Sequence, residues 1–188
     1  MNPRRTSRVS TRRIEARPPA EAAAAAETTW RELIRRCRVL ALATAAPGRS
    51  WSAPLFFAAW SGGGDPRAPI RHLVFLTSPA SRHGRDLART PRCSAAFWLA
   101  PPAIGGLRGV QLAGRAQPIE AALLPRAKAA FLARHPAAAK RVEGATRERL
   151  YSLAIDTLKV TDNRRGFGWK CTLGRGGQPP KTANRFGT

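Results

Sequence analysis

Acidic side chains are scarce in this sequence: 11 Asp and Glu stand against 33 Lys and Arg, a formal net charge of +22. The remaining metal-ligating stock is thin as well, with three histidines and three cysteines. His72, His83 and His135 lie far apart, without a cysteine or carboxylate at ligand spacing, which argues against a zinc site. Cys37, Cys93 and Cys171 are odd in number and widely spaced, so they exclude a disulfide framework and read as reduced thiols of a cytoplasmic protein. No run approaches the roughly 20 apolar residues of a membrane-spanning helix. The Arg-rich opening lacks both the apolar core of a secretory signal and the apolar stripe of an organellar transit peptide. A phosphate-loop lysine motif, a dinucleotide glycine fingerprint and a nucleophile elbow are all missing, which removes the commonest nucleotide and hydrolase chemistries.

What is present suits one domain with tails, since single cores commonly serve about 100 to 200 residues. Of the hydrophobic 43%, much is alanine, so the core must rest on Leu, Val, Phe and Trp, and a dimer would add burial. The charge is uneven. Residues 1–17 carry Arg4, Arg5, Arg8, Arg12, Arg13 and Arg17 against Glu15, and residues 174–188 carry Arg175, Lys181 and Arg185 without an acid. We therefore divide the chain into a basic, Ala-rich tail over 1–27, disordered or helical, a domain over 28–173, and a disordered tail over 174–188. Such charge also suits a nucleic-acid-binding module, although no aromatic residue interleaves the basic ones in the first tail.

Periodicity orders the domain. Thr29 and Glu32 have capping-box spacing, and Trp30, Leu33, Ile34 and Cys37 fall on one helical face. Val39–Thr44 and Ser50–Trp60, joined through Pro47 and Gly48, read as a hairpin. Gly62 to Pro66 reads as a flexible loop, followed by a strand over His72–Thr77 and a short helix over Ser81–Arg89. Strands are expected at Cys93–Leu99 and Leu107–Pro118, and a helix over Ala121–Arg134 that tolerates Pro125 only in its first turn. A helical turn at Arg147–Tyr151, a strand over Tyr151–Val160 and a closing strand over Gly166–Leu173 complete an α+β barrel plan.

The segment from Phe75 to Arg92, FLTSPASRHGRDLARTPR, concentrates the chemistry. A strand ends in hydroxyl residues, and a turn presents Ser81, Arg82 and His83 where free amides and the helix dipole favour an anion. Ser81 is either a plain helix cap or a phosphate ligand, and Arg82 either a solvated charge or a clamp.

This segment resembles the phosphate-binding stretch of the pyridoxamine 5'-phosphate oxidase-like family, through Thr77, Ser81, Arg82, His83, Gly84, Leu87 and Thr90-Pro91-Arg92. His83 stands where the family carries lysine, which implies a weaker, pH-dependent ligand. Arg108-Gly109-Val110-Gln111 through Gly114-Arg115-Ala116 is similar to a second family strand; Gly109 occupies its usual glutamine position, and Gln111 lies two residues on, on the same face. Leu40 to Phe57 resembles the opening hairpin, and Gly166-Phe167-Gly168-Trp169 the ending of a small uncharacterised subgroup. The likeness covers roughly residues 28–172. It implies a split β-barrel of about six antiparallel strands with a few flanking helices, a homodimer, and FMN between the subunits. By this resemblance Leu76, Thr77, Ser78, Ser81, Arg82 and His83 hold the phosphate side. Ala53, Pro54, Leu55 and Gln111 meet the ring, and Trp169 reaches the partner's flavin. The expected activity is an FMN-dependent oxidoreductase acting on an unknown small substrate, with no residue assigned to catalysis. A non-catalytic flavin or haem carrier on the same barrel is the alternative. The true oxidase's C-terminal Arg-Leu-x-Pro pattern is lacking, so its substrate is not implied.

Overall fold

The computed structural model describes residues 18–61, 70–144 and 147–174. The loop expected at Gly62 to Pro66 and most of both tails lie outside these residues.

Helix α1 (Ala20–Arg36) runs through the alanine-rich stretch, whose high helix propensity carries it nine residues ahead of the expected start. The capping-box reading of Thr29 and Glu32 is therefore corrected. Thr29 is buried in mid-helix, where its hydroxyl donates to Asp162 Oδ2 at 2.9 Å. At the other end Arg134 caps α1, its Nη2 donating to the carbonyls of Ile34, Arg35 and Cys37.

Seven strands form one antiparallel sheet: β1 (Val39–Ala46), β2 (Arg49–Trp60), β3 (His72–Thr77), β4 (Arg92–Leu99), β5 (Arg108–Pro118), β6 (Arg149–Asp162) and β7 (Lys170–Gly174). Their order is β3-β2-β1-β4-β5-β6-β7, and an additional β3–β6 pairing closes the first six into a barrel. The long strand β6 makes this closure. One edge pairs with β5 along its length, while the other pairs with β3 over 149–154 and with β7 over 157–161. Asp156 is left over at the register shift beside Ala113 and Gly114, so a bulge lies between the two halves. Where a helical turn is expected at Arg147–Tyr151, β6 has already begun at Arg149, because β3 offers its residues a ladder.

Between strands lie α2 (Arg82–Arg89), α3 (Leu124–Arg134, with Pro125 in its first turn) and the short α4 (Ala139–Glu143). Alternate strand residues point inward, and Leu42, Phe57, Phe75, Phe97, Leu112 and Leu153 fill the barrel. Trp30 and Leu33 of α1 and Leu87 of α2 join the same core. A second, smaller core lies outside the barrel, where Ala127 and Phe131 of α3 cover Ala58, Val74 and Leu150.

Gly114 shows how tightly the bulge is packed: a Cβ there would lie 2.0 Å from the Ala154 carbonyl oxygen, whereas one at Gly105 meets nothing within 4 Å. We expect Gly114→Ala to lower stability by about 1–3 kcal/mol through forced backbone displacement, and Gly105→Ala to change it by under about 1 kcal/mol. Denaturant midpoints of the two variants check this, and equal midpoints would contradict the packing.

Candidate functional site

Strand β3 ends at Thr77, and the chain turns through Ser78, Pro79 and Ala80 into α2. Ser81 is the N-cap: its Oγ accepts from the Gly84 amide at 3.0 Å and donates to the Ser78 carbonyl at 2.7 Å. The turn is held from inside as well, since the Ala80 amide donates to Ser78 Oγ at 3.2 Å. Gly84 is required here, because a Cβ would lie 2.3 Å from the Ser78 carbonyl oxygen. Thr77 Oγ1 shares a hydrogen bond with His83 Nε2 at 2.5 Å and lies 3.4 Å from Ser81 Oγ. Thr77 and His83 are both buried, and burial holds the His83 imidazole below its ordinary pKa despite the pull of nearby Asp86.

Beneath this turn sits Asp86, 1% exposed, which accepts from Thr44 Oγ1 at 3.1 Å and Arg49 Nη2 at 2.9 Å. The Arg49 hydrogen bond is the largest influence holding its carboxyl below the usual range. Asp86 thus ties α2 to both strands of the first hairpin. Arg82 follows the cap and lies over the Trp51 ring, with its guanidinium carbon 4.3 Å from the ring centroid. Among the described residues Arg82 makes no ion pair.

The sequence-expected residues fall into two groups. Thr77, Ser78, Ser81, Arg82 and His83 converge at this corner; Leu76, alternating with Thr77, instead packs against the second core. Pro54 and Gln111 share one transverse row of the outer face, since Pro54 pairs with Ala41, Ala41 with Ala96, and Ala96 with Gln111. Three strand spacings put them roughly 14 Å apart. Ala53 and Leu55, one residue to either side of Pro54, follow the inward row with Leu40 and Leu42. Around that outer row lies a shallow groove of about 460 Å³, lined by Ala41, Ser52, Ser94, Ala96, Gln111 and Lys159 among others. Its floor is made of small side chains. Trp169 packs against the barrel core and lies beneath Arg165, whose guanidinium carbon is 5.6 Å from the ring centroid.

Sequence reasoning missed Arg49, Trp51, Thr44 and Asp86. The pointers were present in part, because Asp86 is a lone acid within an otherwise basic helix, and Arg49 directly follows the hairpin turn. A second buried acid, Asp162, stands where α1 meets the end of β6. Burial pushes its pKa up, but hydrogen bonds from Arg164 and Thr29 outweigh that and hold it low. Burial raises the three thiols, that of Cys93 to about 12, which disfavours their thiolate forms. Among the described residues no three His, Cys, Asp or Glu side chains cluster as a metal site, and no helix is long and apolar enough to cross a membrane.

The profile of the family described as Pyridoxamine 5'-phosphate oxidase matches residues 26–162. A search of curated proteins gives no match. Among solved structures, the haem-binding protein from Mycobacterium smegmatis is similar at 24% identity and TM-score 0.65, over 84% of this chain and 59% of that one. The haem storage protein HutZ from Vibrio cholerae is similar at 19% identity and TM-score 0.58, over 69% and 89% of the two chains. An FAD-binding protein from Mesorhizobium loti is similar at 18% identity and TM-score 0.50, over 68% and 88%. At such identities these likenesses establish a shared split-barrel fold.

Burial holds the pKa of His72, His83 and His135 below the ordinary imidazole value, so the folded chain binds fewer protons there than the unfolded chain. Stability is then complete above the unfolded pKa and falls as pH drops below about 6.5. We expect the thermal midpoint to decline from pH 7.5 to 5.5. His83→Gln, which keeps a hydrogen-bonding amide near Thr77, should make the decline shallower; a wild-type midpoint flat across that range would contradict buried neutral imidazoles.

Proposed function

The chain belongs to the pyridoxamine 5'-phosphate oxidase family, and on that premise we propose that it holds the phosphate of FMN at the start of α2 and acts as an FMN-dependent oxidoreductase on a small substrate. The observation that carries the reading is Arg82. Neighbouring Arg49 is committed to Asp86, whereas Arg82 is stacked on an aromatic face and spends none of its in-plane donors on a hydrogen bond or ion pair among the described residues. Beside it, the Ser81 cap orients first-turn amides that a helix leaves unpaired, and the helix dipole adds favourable potential for a dianion.

The residues fit the group. Arg82 and the free first-turn amides would hold the phosphate, and the Ser81 hydroxyl would join them by turning its proton from the Ser78 carbonyl to the anion. Thr77 and His83, bonded to each other behind the turn, support it from the buried side, where burial favours the neutral imidazole. When bound, FMN supplies the electron transfer. Along the outer face Gln111 offers an amide donor and acceptor to the ring's polar edge, and its register partner Lys159 sets a positive charge beside that amide. Ala41, Ala96 and Ser94 leave room for a flat ligand against the backbone.

A second copy of the chain is the proposed cover for this face. Its small side chains permit close approach, and Val39, Phe56 and Trp98 stand 41%, 59% and 55% exposed on the same side. A non-catalytic haem carrier is the second reading, favoured by the similarity to a haem-binding and a haem storage protein, and it needs an axial ligand. Among the described residues His83 and His135 are buried and hydrogen-bonded and Tyr151 is buried, whereas half-buried His72 bonds Ser152 through Nδ1, the arrangement that orients Nε2 as a ligand.

The purified protein should show flavin absorption bands or take up added FMN, and a colourless product that binds none would reject the cofactor. Arg82→Ala should weaken FMN binding by roughly 1.5–3 kcal/mol, the range for a charge-assisted hydrogen bond; unchanged affinity would remove Arg82 from the site. Light scattering should report a dimer, with Ala43→Arg on the outer face shifting it to monomer.

A further inference from the structure

The sequence gives Trp51 no role of its own within the first hairpin, yet it stands beside Arg82, which among the described residues makes no ion pair. It is the register partner of Thr44, so the hairpin aims it toward the same barrel mouth that α2 covers. Thr44 itself bonds Asp86 of α2. The ring is 43% exposed, an unusual state for a tryptophan on the row that otherwise fills the core. Its face is covered by the Arg82 guanidinium at 4.3 Å.

This contact differs in kind from an ion pair. A carboxylate partner would take up the in-plane N–H donors of Arg82 and cancel its charge; an aromatic face attracts the cation through its quadrupole and leaves the donor edge open. Asp86 is nearby, but it is satisfied by Arg49 and Thr44. From this arrangement we propose that Trp51 is a positioning residue, which holds Arg82 beside the α2 N-terminus with its donors directed at an incoming phosphate. The proposal rests on the flavin phosphate reading above. It adds a specificity element: Trp51 acts on the phosphate alone, through Arg82, and contributes nothing to the flavin ring.

The test compares FMN with riboflavin, which lacks the phosphate, by equilibrium titration of the full chain. Trp51→Leu should weaken FMN binding roughly three- to tenfold, as expected for loss of a partly exposed cation–π contact, and leave riboflavin binding unchanged. Trp51→Phe should recover most of the loss. In the Arg82→Ala background, Trp51→Leu should have no further effect on FMN, because the two residues act as one unit. Equal loss of FMN and riboflavin would mean that Trp51 touches the ring, and an additive double variant would mean that it acts apart from Arg82; each overturns the proposal. Wild-type FMN binding with an unchanged Trp51→Leu variant also overturns it, while leaving the cofactor reading intact. Failure of the wild-type chain to bind either flavin sinks both together.

Discussion

The structure depends on closing a small barrel whose chain is poor in large apolar side chains. Closure is made by one strand: β6 serves β5 on one edge and divides the other between β3 and β7. A barrel has no free edges, but it has two mouths, and an open mouth would admit water to the interior. Helix α1 inserts Trp30 and Leu33 at one and α2 inserts Leu87 at the other, so both helices are part of the core that the strands enclose.

Each of these plugs is fastened by a buried carboxylate in a chain that has only 11 acids. Asp162 takes the Thr29 hydroxyl of α1 and the guanidinium of Arg164; Asp86 fastens α2 to Thr44 and Arg49 of the first hairpin. Such charges are costly to desolvate and persist only where donors saturate them, which these do. The second fastening has a functional corollary. By consuming Arg49 it leaves Arg82 without an ion pair among the described residues, and by fixing the start of α2 against β1 and β2 it brings Trp51 under that cation.

Thr77 and His83 show how position changes the meaning of a motif residue. In sequence both stand among candidate phosphate ligands, with histidine replacing a lysine of the family pattern. In the fold they face inward and satisfy each other, so they act as supports of the turn, while Ser81 and Arg82 occupy its outward side. Leu76 diverges for the same reason: alternation along β3 sends it to the outer core beneath α3.

Local signals in the sequence determined most of the elements. Alternating apolar residues located the first six strands to within a residue or two, the Pro47-Gly48 turn located the hairpin, and Ser81 marked the start of α2, because these depend on neighbours in the chain; β7 begins four residues after the expected Gly166, since Gly166 and Gly168 take positive φ in a turn. The barrel and the corner proposed to hold a phosphate were legible through residue types at motif spacing. Only the tertiary structure decided which strand closes the barrel, that Thr29 serves Asp162 rather than a helix start, and that Arg49, Asp86 and Trp51 meet at the corner. The side-chain contacts among these, Trp51 with Arg82, Arg49 with Asp86 and Thr29 with Asp162, join residues 31 to 133 positions apart. Their existence depends on register and on which face a strand turns inward, quantities fixed by packing the whole barrel and by no local pattern.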